Sequence, residues 1–261
     1  MELERNPGIH RVRQVIAVAS GKGGVGKTTV AVNLALALQV RGLRVGLLDA
    51  DVYGPSIPTM LDLHYQPAVK TGVIPPAEKF GLKVMSIGFL IDAAQAVIWR
   101  GPMVSRMIKD FLDKVLWGEL DYLVVDLPPG TGDPSITIAQ AIPQAQILIV
   151  TTPQRLALAD VKRAIAMFDK LAKPLLGIVE NMAYFCCEHS DERIRIFGEG
   201  GGISLQRETG AELLLQLPID IKLREAGDQG VPLVVAQPDS ASAQGFLQLA
   251  DRLVERTGTQ I

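Results

Sequence analysis

Short apolar runs alternate along this chain with stretches whose apolar residues fall three and four apart. The runs Val15 to Ala19, Arg44 to Leu48, Leu82 to Ile87, Tyr122 to Val125, Ile147 to Val150 and Leu175 to Val179 lack the polar alternation of a half-exposed strand. Each therefore predicts a strand buried on both faces. Between them, Thr28 to Gln39, Met103 to Leu116, Pro134 to Ala141 and Leu158 to Leu171 carry helical spacing and predict crossover helices on a largely parallel sheet. The pattern gives an α/β fold, doubly wound and mostly parallel. Asp62 to Phe80 breaks it, because Pro67, Gly72, Pro75 and Pro76 interrupt any period; a long excursion carrying a short hairpin is expected. Phe246, Leu249, Ala250, Leu253 and Val254 predict a last helix packed on the core. We expect one domain over 12–257, with tails at 1–11 and 258–261, and find no internal repeat.

Where the first strand gives way to the first helix, the chain reads Gly21-Lys22-Gly23-Gly24-Val25-Gly26-Lys27-Thr28-Thr29. Glycines let a backbone turn sharply and aim several N–H groups at one anion, and the following helix adds its positive end. The spacing predicts a phosphate-binding loop in which Lys27 holds the terminal phosphates and Thr28 offers a hydroxyl to Mg²⁺. In an open parallel sheet ligands bind beyond the carboxyl ends of the strands, so polar residues that close apolar runs are candidates. Asp126 closes Tyr122 to Val125 and is placed to serve Mg²⁺. It opens Asp126-Leu127-Pro128-Pro129-Gly130-Thr131-Gly132, whose prolines and glycines suit a loop that senses the last phosphate. Asp133 before Pro134 reads as a helix cap. Asp49 and Asp51 follow Arg44 to Leu48; a functional arrangement puts Asp49 near the metal shell and Asp51 on the attacking water, and a capped turn is the alternative. Asn181, after Leu176 to Glu180, either meets an adenine edge or stabilises its own turn.

Composition limits the setting. The 261 residues are 48% hydrophobic and 21% charged, with a formal net charge of -2, which offers no broad attraction to nucleic acid or anionic lipid. The first residues match neither a signal nor a transit peptide, and no apolar run is long enough to span a bilayer. The expectation is a cytoplasmic protein without membrane or nucleic-acid partners. The two cysteines, Cys186 and Cys187, are adjacent, a poor geometry for a disulfide. They are expected as free thiols or metal ligands. His10 and His64 have no other ligand-type residues grouped around them and are expected at the surface.

The second lysine of the loop, Lys22, is not required by a generic phosphate loop and reads as a solvated cation unless something else explains it. The string Gly-Lys-Gly-Gly-Val-Gly-Lys-Thr-Thr resembles the deviant Walker A ATPases, which include MinD, ParA and the nitrogenase iron protein. That resemblance implies that Lys22 reaches the nucleotide of a partner subunit. Further strings narrow it: Asp49 to Ser56, Trp99 to Met103, Asp126 to Asp133, Glu180-Asn181-Met182 and Phe197 to Gly202. Together they resemble the Mrp (ApbC) branch, from about Val12 to Leu253. The resemblance implies a homodimeric, Mg²⁺-dependent ATPase that carries iron–sulfur clusters between donor and client proteins. By it Asn181 contacts adenine, Asp51 serves the water, and Thr28 with Asp126 serves the metal. Many members carry a small domain before the phosphate loop, where this sequence has only a short tail.

One departure bears on the cargo. The branch has C-x-x-C after an aromatic pair; here Cys187 matches the first cysteine and Ser190 stands at the second. An alcohol is a far poorer iron ligand than a thiolate. Cys186 and Cys187 from each of two subunits still total four thiolates, with His189 as a further donor; the alternative is a thiol pair without metal. A MinD/ParA-like positioning ATPase and a cluster-independent ATPase switch are the competing functions.

Overall fold

The computed structural model describes residues 7–68, 72–90, 101–187 and 192–259. Trp99, Arg100, His189 and Ser190, singled out above, lie outside them. The strands are β1 (Val12–Ser20), β2 (Val45–Asp49), β3 (Ala77–Lys79), β4 (Leu82–Ser86), β5 (Leu120–Asp126), β6 (Ala145–Thr151), β7 (Leu175–Glu180), β8 (Phe185–Cys186), β9 (Arg193–Ile194) and β10 (Leu213–Gln216). The helices are α1 (Lys27–Val40), α2 (Ile57–Met60), α3 (Gly101–Lys114), α4 (Asp133–Ala141), α5 (Arg155–Lys170), α6 (Gly201–Thr209), α7 (Ile221–Asp228), α8 (Leu233–Ala236) and α9 (Ala241–Thr257).

Eight strands form one sheet in the order β10-β7-β6-β1-β5-β2-β4-β3, parallel except where β3 meets β4. From β1 the chain winds outward through β2 to β4, returns beside β1 as β5, and then winds the other way through β6 and β7 to β10. Crossovers of one hand running in opposite directions put their helices on opposite faces, so the sheet is covered on both sides. That is why β1, β2 and β5 carry nearly unbroken buried runs. The reversal falls at β1, and the phosphate loop leaves β1 at its carboxyl end, the place where such sheets bind ligands.

Helix α1 is buried continuously from Val30 to Leu38, because the sheet lies on one side and α8 and α9 on another. Its sequence is accordingly apolar all round. Helix α5 packs on β6 and β7 with α4 and α6 at its sides, and buries one stripe, Ala157, Val161, Ala164 and Phe168. Among described residues, no helix is long and apolar enough to cross a membrane.

The hairpin expected in the excursion lies at its end, where β3 turns into β4 through Phe80 (φ 50°) and Gly81 (φ 77°). Two positive φ angles in a two-residue loop match the right-handed twist of the paired strands. One expectation is corrected by a residue. Helix α4 begins at Asp133 and its cap is Gly132, so Asp133 supplies no side-chain cap but an exposed negative charge in the first turn. At the two ends of the described chain, Gly8 N–H donates to Val115 O at 2.8 Å, and the Tyr122 hydroxyl bonds Thr257 and Thr259.

Candidate functional site

The phosphate loop separates two kinds of glycine. Gly24 and Gly26 take φ of 78° and 83°, the left-handed region that favours residues without a Cβ. A Cβ at Gly23 or Gly24 would meet open space, so these two face the cleft. Gly26 is also crowded: a Cβ there would lie 2.2 Å from Asn181 Nδ2. Gly21 has a different task, since a Cβ on it would stand 2.5 Å from the backbone of Asp160 and Val161 in α5. Val25 is buried, and its carbonyl accepts from Asn181 Nδ2 at 2.9 Å. Thr29 lines the cleft.

Lys27, Thr28 and Asp126 converge at the start of α1. Lys27 Nζ lies 2.6 Å from Asp126 Oδ1, and Thr28 Oγ1 donates to Asp126 Oδ2 at 2.6 Å. Asp51 Oδ2 is 3.9 Å from the same Nζ. Strand register explains the charge density, because β2 and β5 are neighbours with Asp49 directly opposite Asp126. Both carboxylates are fully buried. Burial raises the Asp126 pKa, with Lys27 and Thr28 pulling against it. Asp49 is pushed up to about 7, chiefly by burial and then by Asp126, against hydrogen bonds from Ser86 and Ile57. Three carboxylates thus face the single buried ammonium of Lys27. A carboxylate and a hydroxyl sharing one hydrogen bond are hard oxygen donors, and with this excess of negative charge they fit Mg²⁺.

Asp49 and Asp51 are divided in their work. Asp49 accepts from Ser86 Oγ at 3.0 Å, from Ile57 N–H at 3.2 Å and from Asp51 N–H at 3.2 Å. Its carboxylate therefore fixes the backbone that carries Asp51 and begins α2. Asp51, nearer the cleft, accepts from Tyr53 N–H at 3.2 Å and keeps one oxygen toward Lys27. Lys22 points to its own chain, donating to Gln154 Oε1 at 3.2 Å just before α5.

Two adjoining cavities share Gly26, Thr29, Ser56 and Met60. One, of about 270 Å³, is bounded by the phosphate loop, Asp51 and Pro129. The other, of about 520 Å³, is bounded by Asn181, Met182, Phe197, Ile219 and Leu223. The polar chamber and the apolar chamber have the relative character of a triphosphate site and a base site. Leu127 N–H and Gly130 N–H donate to Val18 O and Ser20 O, which ties the Pro-rich loop to β1 beside the first chamber.

The structure brings Lys27, Thr28, Asp126 and Asp51 together, with Asn181 over the loop, and sets the cysteines elsewhere. Both are free thiols; Cys186 is exposed in β8 and pairs with Arg193, and Cys187 is half-buried. No group of three or more His, Cys, Asp or Glu side chains gathers into a metal site among described residues. His10 is exposed, and His64 is solvent-facing beside Asp62 at 3.4 Å. Sequence reasoning missed Ser86, Gln154, Phe197 and Ile219. Ser86 is the last residue of β4, so strand-end position was a usable signal for it, whereas Gln154 stands three residues beyond β6 and nothing local marks Ile219.

Comparison with known proteins places this geometry. The ParA family model described as NUBPL iron-transfer P-loop NTPase matches residues 11–254. The iron-sulfur cluster carrier protein of Synechocystis is 49% identical over 251 residues, covering 94% of this chain and 71% of that protein. The iron-sulfur cluster carrier protein of Methanocaldococcus jannaschii is 48% identical over 250 residues, covering 94% and 86%. A nucleotide-binding protein from Archaeoglobus fulgidus, solved in complex with ADP, superposes with a TM-score of 0.78 at 41% identity over 91% of this chain and 93% of that one. The Pyrococcus furiosus cell division ATPase MinD, at 24% identity, 94% and 100% coverage and a TM-score of 0.70, shares the fold.

Proposed function

This chain belongs to the iron-transfer P-loop NTPase family, and from that premise we propose that it is a homodimeric, Mg²⁺-dependent ATPase that carries iron–sulfur clusters. The observation that carries the nucleotide half is the convergence of Lys27, Thr28 and Asp126 within 2.6 Å contacts beneath the glycine loop. The carrier half follows from relatives named iron-sulfur cluster carriers that match across nearly the whole chain.

In this reading Lys27 leaves Asp126 to balance the terminal phosphates, while backbone N–H groups of residues 23–28 cradle them. Thr28 and Asp126 would hold Mg²⁺, which would supply charge neutralisation to the phosphates when bound. Asp51 orients and deprotonates the attacking water, and Asp49 holds the segment that positions Asp51. Lys22 exchanges Gln154 for the nucleotide of the partner subunit and stabilises charge on the transferred phosphoryl group. Asn181 meets the adenine. Cys186 and Cys187 from two subunits supply four thiolates to the cluster, which is cargo and passes from donor to client protein. Cytoplasmic location is part of the same proposal.

Mixed dimers test the shared site. Pairing Lys22→Ala subunits with Asp51→Ala subunits leaves one composite site with both residues and one with neither, so about half of the wild-type hydrolysis is expected from verified heterodimers. No activity from them argues that Lys22 acts within its own subunit. Anaerobic reconstitution with iron and sulfide tests the cargo: one cluster per dimer is expected from absorption and metal analysis, and Cys187→Ala should remove it. A chain that hydrolyses ATP normally but never retains a cluster leaves an ATPase switch as the better reading.

A further inference from the structure

The larger cavity and the cysteine hairpin are built from the same backbone. Ala183 N–H donates to Leu217 O at 2.8 Å, Ile219 N–H donates to Tyr184 O at 2.7 Å, and Phe185 forms a parallel bridge with Ile219. Cys186 follows at once. On the returning strand Ile194 stands opposite Phe185, and Phe197 comes three residues later. Ile219 and Phe197 both line the cavity. The hairpin itself has only two residue pairs. Two strands of that length do not hold a position alone; the 217–219 segment pairs with the hairpin's first arm, Arg193 of the second arm lies 4.6 Å over the Tyr184 ring, and the continuation of that arm brings Phe197 to the cavity.

Phe197 is half-buried and is the aromatic member of a lining that includes Met182, Leu223 and Asn181. A flat apolar face beside an amide that can donate and accept is the chemistry that receives a nucleobase. Asn181 Nδ2 spends one hydrogen on Val25 O and keeps a second donor and its Oδ1 for a base edge, and contact with an edge leaves the faces of the ring to other residues. We propose that Phe197 is a base-contacting residue, and that by packing on the bound base it clamps the hairpin that carries Cys186 and Cys187. The inference rests on the nucleotide binding proposed above and adds how the bound state reaches the thiols: through the base, not through the phosphates.

The test compares ATP, adenosine and inorganic tripolyphosphate on the full chain, measuring equilibrium binding and the alkylation rates of Cys186 and Cys187. Phe197→Ala is expected to weaken ATP about tenfold, the scale of one lost base–aromatic contact, and to leave tripolyphosphate affinity unchanged. Phe197→Tyr should restore ATP affinity. In wild type, saturating adenosine alone should slow alkylation of the thiols, and Phe197→Ala should abolish that response. Wild-type ATP affinity in Phe197→Ala, or thiols that respond to tripolyphosphate and ignore adenosine, overturns the inference. Absence of ATP binding by the wild type overturns the proposed function with it.

Discussion

The phosphate-loop end of the sheet and the cysteine hairpin hold their chemistry in opposite ways. At the first, Asp49 and Asp126 are buried at adjoining strand ends and Lys27 at the start of α1, and each side chain is pinned by others from different parts of the chain. At the second, two strands of two residues present an exposed Cys186, with Ile194 and Ile196 open to solvent beside it. Buried charges tolerate no loose geometry, because an unpaired one costs several kcal/mol, roughly 3–5 when a partner is removed. A thiol pair on a surface ladder has no such penalty to avoid. The difference teaches that buried, cross-braced contacts concentrate at the phosphate-loop end, while the proposed cargo site rests on a short surface ladder.

The sharpest break in that comparison comes from Asp51→Ala. Loss of a positioned general base typically costs about 10²–10⁴-fold, so hydrolysis should nearly vanish while ATP still binds, as single-turnover and binding assays would show. Next is Lys27→Ala, which removes the one buried cation that faces the carboxylates among the described residues. ATP affinity should fall about a hundredfold, within the range for truncating a buried charge pair. Affinity unchanged within about twofold would falsify its phosphate role.

Gly26→Ala probes packing instead of charge. It places a Cβ 2.2 Å from Asn181 Nδ2 at a φ of 83°, and should lower unfolding free energy by about 2 kcal/mol, as residues forced into sparse backbone regions do. Adding Asn181→Ala should recover the clash component only; full recovery in denaturant melts would mean that the backbone angle is not strained. Ser190→Cys restores the second thiol of the expected motif and should raise cluster retention by a few-fold, read as iron and sulfide per dimer after anaerobic reconstitution. The smallest effect is expected on the hairpin itself. Ile194→Thr should change stability by less than about 0.5 kcal/mol, and a larger loss would show that the hairpin is part of the core after all.

Much of the architecture was legible because buried parallel strands write themselves as unbroken apolar runs, and all six such runs form strands. Boundaries moved by a few residues, as with Ile87, which leaves β4 for a short helical turn. The strands that escaped notice were short or at an edge: β10 has four residues, only one of them fully buried, and β8 and β9 have two each. Such segments are defined by pairing across long sequence separations, which no local period records. The site divided along the same line. Lys27, Thr28 and Asp126 declared themselves by motif and strand end, whereas the use of Asp49 as a backbone anchor depends on Ser86 and Ile57, 37 and 8 residues away. Phe197 was visible only as one letter of a glycine-rich string.

Gly21 carries a consequence for anyone who would move this loop into another scaffold. The first glycine of the string is demanded by the flank of α5, whose backbone a Cβ would strike at 2.5 Å, while Gly23 and Gly24 face open cleft. A pattern written as one word thus spells two unrelated requirements, one for an anion and one for a neighbouring helix. A transplanted loop on a scaffold with no helix leaning there could accept alanine at its first position and keep its grip on phosphate. On this scaffold the same alanine would push α5 aside, and with it Gln154, the residue against which Lys22 rests.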